Sequence, residues 1–210
     1  MTVTYIIAAG LTAYLLGSIP SAVWAGRLFH GIDVREHGSG NAGATNVIRV
    51  LGWKTGIPVL LFDMAKGFLA AMLPRLFNLA PQDSAMLVNL QIFTGLMAIT
   101  GHIFPVFAGF RGGKGVAAMF GILLAIHPPV TLLCLGVFMV FFLSTGIVSI
   151  GSMAAGIAFP ILLLTFFKTP SVFFRIFSVV VAVALLVTHR KNIQRLLKGE
   201  EKRLFGKKKG

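Results

Sequence analysis

Glycines, hydroxyls and cationic side chains gather in three short clusters of this sequence, over residues 38–49, 102–115 and 189–201. In the first, Gly38, Gly40 and Gly43 let the backbone turn tightly and aim successive N–H groups at one centre, which is how a chain builds a nest for an anion. Ser39, Asn41, Thr45 and Asn46 add neutral donors, and the fork of Arg49 matches a phosphate. The second cluster sets His102 ahead of Arg111-Gly112-Gly113-Lys114-Gly115, and an apolar stretch begins at Val116. A helix opening there presents unsatisfied N–H groups and the positive end of its dipole beside Lys114, again a place for phosphate. In the third, His189, Asn192 and Arg195 recur at three-residue spacing. One side of a helix therefore carries them, while Leu196 and Leu197 rest in a membrane interface. Plainer readings are a polar loop, a basic membrane anchor, a satisfied buried histidine at His102, and an amphipathic tail on anionic headgroups. The donor density disfavours the polar loop for the first cluster, whereas the residues from Lys202 onward need only the tail.

Asp63 and Lys66 lie inside an apolar stretch, where each costs roughly 2.5–3.5 kcal/mol at a helix centre. Three residues apart, they can pair and offset part of that cost. Gly67 beside them suggests a close helix contact and a polar cavity, with Lys66 near a substrate phosphate and Asp63 orienting it or a neighbouring donor.

Several chemistries are disfavoured. The run over residues 109–114 looks like the phosphate loop of nucleotide hydrolases, but Gly115 stands where that loop needs Ser or Thr, and no strand precedes it. Only 6 residues are acidic, so paired-carboxylate hydrolysis is disfavoured, and no His, Cys and carboxylate spacing suggests a metal. No cofactor is expected. Acyltransferases that place Asp five positions after a catalytic His are excluded, because that position holds Arg35, Ala42, Phe107, Leu132 or Gln194 after the five histidines. A cationic, donor-rich pocket next to lipid remains, suited to one or two phosphates and an acyl chain.

The elements that must position these residues are membrane helices. Of 210 residues, 56% are hydrophobic and 12% charged, with a mean hydropathy of +0.88. Soluble domains carry about 25% charged residues, so the sequence reads as an all-α integral membrane protein. Apolar spans are expected over residues 3–28, 57–73, 86–107, 147–167 and 172–187. The run 116–143 is interrupted by Pro128-Pro129; its first piece, 116–126, rises only about 16 Å, so two short helices are expected. Seven segments result, some short or broken, with five or six as alternatives. Fifteen of the 19 Lys and Arg residues fall in the loops after the first and third spans and in the tail from about residue 190. The positive-inside rule then puts the N-terminus outside, and the tail and all three clusters in the cytoplasm. The charge excess of +13 fits anionic lipid and anionic substrate, not nucleic acid. The first basic residue is Arg27, so the first span is expected to be retained rather than cleaved as a signal. Cys134, the single cysteine, is expected to be buried. One domain, residues 1–210, is expected, with no internal repeat.

The three clusters, Asp63-Met64-Ala65-Lys66-Gly67 and the opening Gly17-Ser18-Ile19-Pro20 together resemble the bacterial acyl-phosphate-dependent glycerol-3-phosphate acyltransferases. The motifs are long, occur in order and run from the first span to the tail. Ala42 departs from a frequent Pro, and Arg111 from a frequent Lys. The resemblance implies a seven-helix inner-membrane enzyme, active site facing the cytoplasm. It would move a fatty acyl group from acyl phosphate to the 1-hydroxyl of sn-glycerol 3-phosphate. The first two clusters would hold phosphates, with Arg49, Lys66 and Lys114 as counter-ions. His189, Asn192 and Arg195 would grip glycerol 3-phosphate. His102, His189 and the donor's own phosphate oxygens stay open as the base, and Ser39 is either a hydrogen-bond donor or a nucleophile. A monomer in membrane lipid is expected. The rival class is a transporter of phosphorylated solutes, which would need polar groups reachable from both faces and usually a repeat.

Overall fold

A computed structural model describes residues 2–205, so the basic residues Lys207, Lys208 and Lys209 lie outside the described part. Every long element is helical, and no strand occurs among the described residues. The chain divides into two compact units, residues 1–126 and 127–210.

In the first unit, α1 (Thr2–Ser18) and α2 (Ser21–His30) together make up the expected first span, with a break inside it. The break falls at Ile19-Pro20. Proline has no N–H to donate and forces the preceding residue out of the helical region, so the ladder stops there and the Ile19 carbonyl leaves it, accepting the Ser21 N–H at 3.1 Å instead. A short 3-10 turn (Val34–Glu36) and the glycine loop lead into α3 (Ala44–Leu51), a helix inside the first cluster that hydropathy did not announce. Then come α4 (Trp53–Leu76), α5 (Ala85–Ile103), a second 3-10 turn (Val106–Ala108) and α6 (Val116–Ile126).

Small residues set how these helices meet. A Cβ on Gly67 would strike the Ala118 carbonyl, and one on Gly121 the Met64 carbonyl, so α4 and α6 touch backbone to backbone. Gly17 against Ala98 and Gly101 against Tyr14 do the same for α1 and α5. Close approach of this kind is how membrane helices gain packing when lipid is as apolar as their side chains. Asp63, Lys66 and the second glycine loop are thereby held on a stiff frame.

The second unit holds α7 (Pro128–Thr145), α8 (Val148–Phe166), α9 (Val172–Thr188) and α10 (Arg190–Leu197). Phe159 of α8 and Phe174 of α9 are fully buried and meet edge to face at 5.9 Å between ring centroids. Cys134 is buried and unpaired, as expected.

All seven expected apolar segments are helical. Five are long and apolar enough to cross a membrane: residues 3–30, α4, residues 85–108, α7 and α8. A sixth counts if α9 and α10, bent by 56° at their junction, form one broken span. The seventh, α6, is the short piece foreseen from the Pro-Pro break; against the expectation of a second short helix, α7 opens at Pro128 and runs 18 residues, long enough to cross.

Candidate active site

The first glycine loop is organised by one buried amide. Asn46 is 1% exposed. Its Oδ1 accepts the Ser39 N–H at 2.7 Å and the Ser39 hydroxyl at 3.0 Å. Its Nδ2 donates to the carbonyls of Val34 at 2.8 Å and His37 at 3.1 Å. Gly38 sits at φ 64°, and a side chain there would also strike Asn46 Oδ1, so the position requires glycine on both counts. Helix α3 opens at Ala44 behind Gly43 with no side-chain cap, leaving its first amides directed out of the helix. Thr45 and Arg49, both half-buried, lie one turn apart on it, with Asn41 half-buried in the loop just before.

The second loop is folded back on the end of α5. Gly112 N–H donates to the Ile103 carbonyl at 3.0 Å and Gly113 N–H to the His102 carbonyl at 3.2 Å. Those two amides close the turn, so of this cluster Lys114, Gly115 and the first turn of α6 lie beyond it. A Cβ on Gly113 would collide with the His102 ring and with the Ala42 carbonyl at 2.7 Å. The two glycine loops are therefore in contact. Arg111 is exposed at their rim.

Beneath them lies a buried polar cluster. Asp63 Oδ1 pairs with Lys66 Nζ at 2.8 Å and accepts the Ser21 hydroxyl at 2.7 Å. Lys66 Nζ also donates to the Ile19 carbonyl at 2.9 Å, the group released by the Pro20 break. His102 Nδ1 stands 3.7 Å from Asp63 Oδ1, beyond hydrogen-bond length, and has no partner of its own. A small open recess is lined by Ile19, Ser21, Ala42, Lys66, His102 and Gly113, among others. It gathers Ala42 of the first loop, Gly112 and Gly113 of the second, Lys66 and the helix break at one place, whereas Ser39, Arg49, Asp63 and Lys114 do not line it.

The third cluster is built within the second unit. Glu201 is buried; its Oε1 accepts Asn192 Nδ2 at 2.7 Å and the Ser149 hydroxyl at 3.1 Å, and its Oε2 accepts Arg195 Nε at 2.5 Å. Burial alone would push this carboxyl up, but the bonds from Arg195, Asn192 and Ser149 outweigh it and hold the group below its ordinary range. His189 ends α9, and its Nδ1 lies 2.9 Å from the Leu185 carbonyl. A carbonyl only accepts, so Nδ1 is the nitrogen that carries a proton in that bond.

Sequence reasoning overlooked Ser21, Asp33, Arg35 and Ser149, and gave Glu201 no role. The available signal was the scarcity of acids: with only 6 in the chain, each one beside an arginine or in an apolar run invites a search for its cation.

Comparison with known proteins agrees with this architecture. The family model for glycerol-3-phosphate acyltransferase matches residues 7–199. A glycerol-3-phosphate acyltransferase of Chlorobium limicola is 41% identical, over 93% of this chain and 95% of its own length. That of Chlorobaculum tepidum is 43% identical, over 94% and 96%. Among solved structures, the glycerol 3-phosphate form of the integral membrane acyltransferase PlsY (YgiH) superposes with a TM-score of 0.81 at 39% identity, covering 96% of both chains. Its lysophosphatidic acid form gives 0.78 at 38%, covering 96% of this chain and 95% of that one. The chain belongs to the glycerol-3-phosphate acyltransferase family of integral membrane proteins.

Proposed function

We propose that this chain moves a fatty acyl group from acyl phosphate to the 1-hydroxyl of sn-glycerol 3-phosphate, giving 1-acylglycerol 3-phosphate and inorganic phosphate. The observation that carries the reading is the pocket where both glycine loops meet Lys66 and His102. Two anionic reactants, one with a long apolar chain, need such a cationic recess beside lipid. The hydroxyl oxygen attacks the acyl carbonyl carbon, the carbon–oxygen bond to phosphate breaks, and phosphate leaves with the electron pair. Acyl phosphate is an activated anhydride, so orientation and charge neutralisation supply most of the rate. Arg49, Lys66 and Lys114 neutralise phosphate oxygens. The hydroxyl proton goes to His102, to His189 or to a phosphate oxygen of the donor. Ser39 donates a hydrogen bond rather than attacking, a role supported by its hydroxyl being held on an amide oxygen and not on a base. The donor is acyl phosphate itself, not a CoA ester or acyl carrier protein. The chain works as a monomer and one catalytic domain in a bacterial inner membrane, its glycine loops and basic tail on the cytoplasmic side; the family model running through both units supports the single domain.

The test presents the purified chain with labelled glycerol 3-phosphate and either palmitoyl phosphate or palmitoyl-CoA, with lipid extraction at the end. Labelled 1-acylglycerol 3-phosphate from palmitoyl phosphate alone is the expected result. Product from the CoA ester would overturn the donor assignment.

A further inference from the structure

Arg35 lies outside the glycine clusters and the pocket lining, yet its guanidinium is densely bonded. Its Nε donates to Asp33 Oδ1 and Oδ2 at 3.0 and 3.2 Å, and its Nη2 to Asp33 Oδ2 at 2.7 Å. The Asp33 carboxylate is fixed in turn by the Arg35 backbone N–H at 3.0 Å and by Arg27 Nη2 at 2.9 Å. With the guanidinium locked on one edge, its Nη1 points across to the other loop. It donates to the Ala108 carbonyl at 2.7 Å and the Arg111 carbonyl at 3.1 Å. The side chains of Arg35 and Asp33 are only 13% and 10% exposed, so water competes weakly for these bonds.

Each end of this bridge anchors a glycine loop. Arg35 belongs to the 3-10 turn whose Val34 carbonyl receives Asn46, the amide that shapes the first glycine loop. Ala108 and Arg111 lead directly into Gly112 and Gly113, which fold back on the end of α5 and touch His102 and Ala42. The arginine thus bolts the base of one phosphate loop to the base of the other. Lysine cannot do the same, because a single ammonium has no planar fork to satisfy a carboxylate and two carbonyls in fixed directions. The residue makes no contact with the pocket, so its effect is exerted through the loops.

We propose that Arg35, held by Asp33, is a positioning residue that sets the spacing of the two phosphate-binding loops. This rests on the acyl-transfer reading for its kinetic consequence, but not for its structural one. The experiment therefore reads both. Spin labels at the exposed positions Glu36→Cys and Phe107→Cys, in a Cys134→Ala background, report the loop-to-loop distance in the full chain in lipid nanodiscs. A narrow distribution with native Arg35 is expected to broaden in Arg35→Ala and Arg35→Lys, and to a smaller extent in Asp33→Asn. In unlabelled protein, Arg35→Ala is expected to lose about ten- to a hundredfold in kcat/KM, mainly as a raised KM for glycerol 3-phosphate, with partial recovery on adding methylguanidinium. An unchanged distance distribution in Arg35→Ala overturns the proposal, whatever the kinetics show. If Arg35→Ala does not yield monodisperse protein, Asp33→Asn decides in the same way. A wild-type chain without transferase activity would overturn the acyl-transfer reading and leave the label distances to judge the clamp.

Discussion

Asn46, Asp63 and Glu201 are buried polar side chains, and each is held by specific hydrogen-bond or ion-pair partners. Ser39 hangs on Asn46 as a donor. Ser39→Ala should therefore lose roughly five- to tenfold in kcat, the scale of one hydrogen bond, and retain more than a few per cent of turnover. Complete loss in folded protein would revive an obligatory acyl-serine. Arg49→Ala should cost ~2 kcal/mol or more in kcat/KM, the scale of a hydrogen bond to a charged group; wild-type kinetics would remove Arg49 from the phosphate site. Glu201 gives a pH test. Its folded pKa lies below its ordinary value of 4.5, so its stabilisation is present above that value and is lost as pH falls through the lower one. Glu201→Gln should melt well below the native chain at pH 7, and the gap should narrow as pH falls below 4.5 and close once the pH passes the lowered value. A gap unchanged by pH would mean the carboxylate charge contributes nothing. The residue types of the first two clusters were legible because their donors are neighbours in sequence. Their partners were not: Ser21 and Asp63 are 42 positions apart, and Arg35 and Arg111 are 76.

At the scale of elements, the helices were read well wherever composition changes at their ends. The split between α6 and α7 was legible from two adjacent prolines, and it is where the chain breaks. The break at Ile19-Pro20 was not, because apolar residues continue on both sides and only one proline marks it. The existence of α3 was hidden by its glycine-rich, polar entry. Helix contacts are set by where glycine meets a backbone. Gly121 faces the Met64 carbonyl on α4, between Asp63 and Lys66 in the chain, and no side-chain adjustment can relieve a clash with a main chain. Gly121→Leu should thus cost about 1–3 kcal/mol of stability by overpacking. It should also weaken catalysis, because α4 carries Lys66 and the second loop runs into α6. Calorimetry and kinetics on one detergent preparation check both, and a variant as stable as the native chain would show that α4 and α6 do not pack as described.

For the molecule as a whole, sequence alone supported a many-helix membrane protein of strong positive charge, and the motifs running from residue 17 to the tail supported the family. What it did not carry was the assembly of the pocket, which depends on a released carbonyl, two loops in contact and a buried ion pair. The central claim is transfer: phosphate leaves the donor only as the acyl group reaches glycerol 3-phosphate. The most direct measurement tracks phosphate release from palmitoyl phosphate by the purified chain in vesicles, with and without glycerol 3-phosphate, while 1-acylglycerol 3-phosphate is quantified in the same samples. Release is expected only when glycerol 3-phosphate is present, mole for mole with the lipid product. Release without glycerol 3-phosphate, or no release alongside counterflow of labelled glycerol 3-phosphate across the vesicle membrane, would contradict that claim.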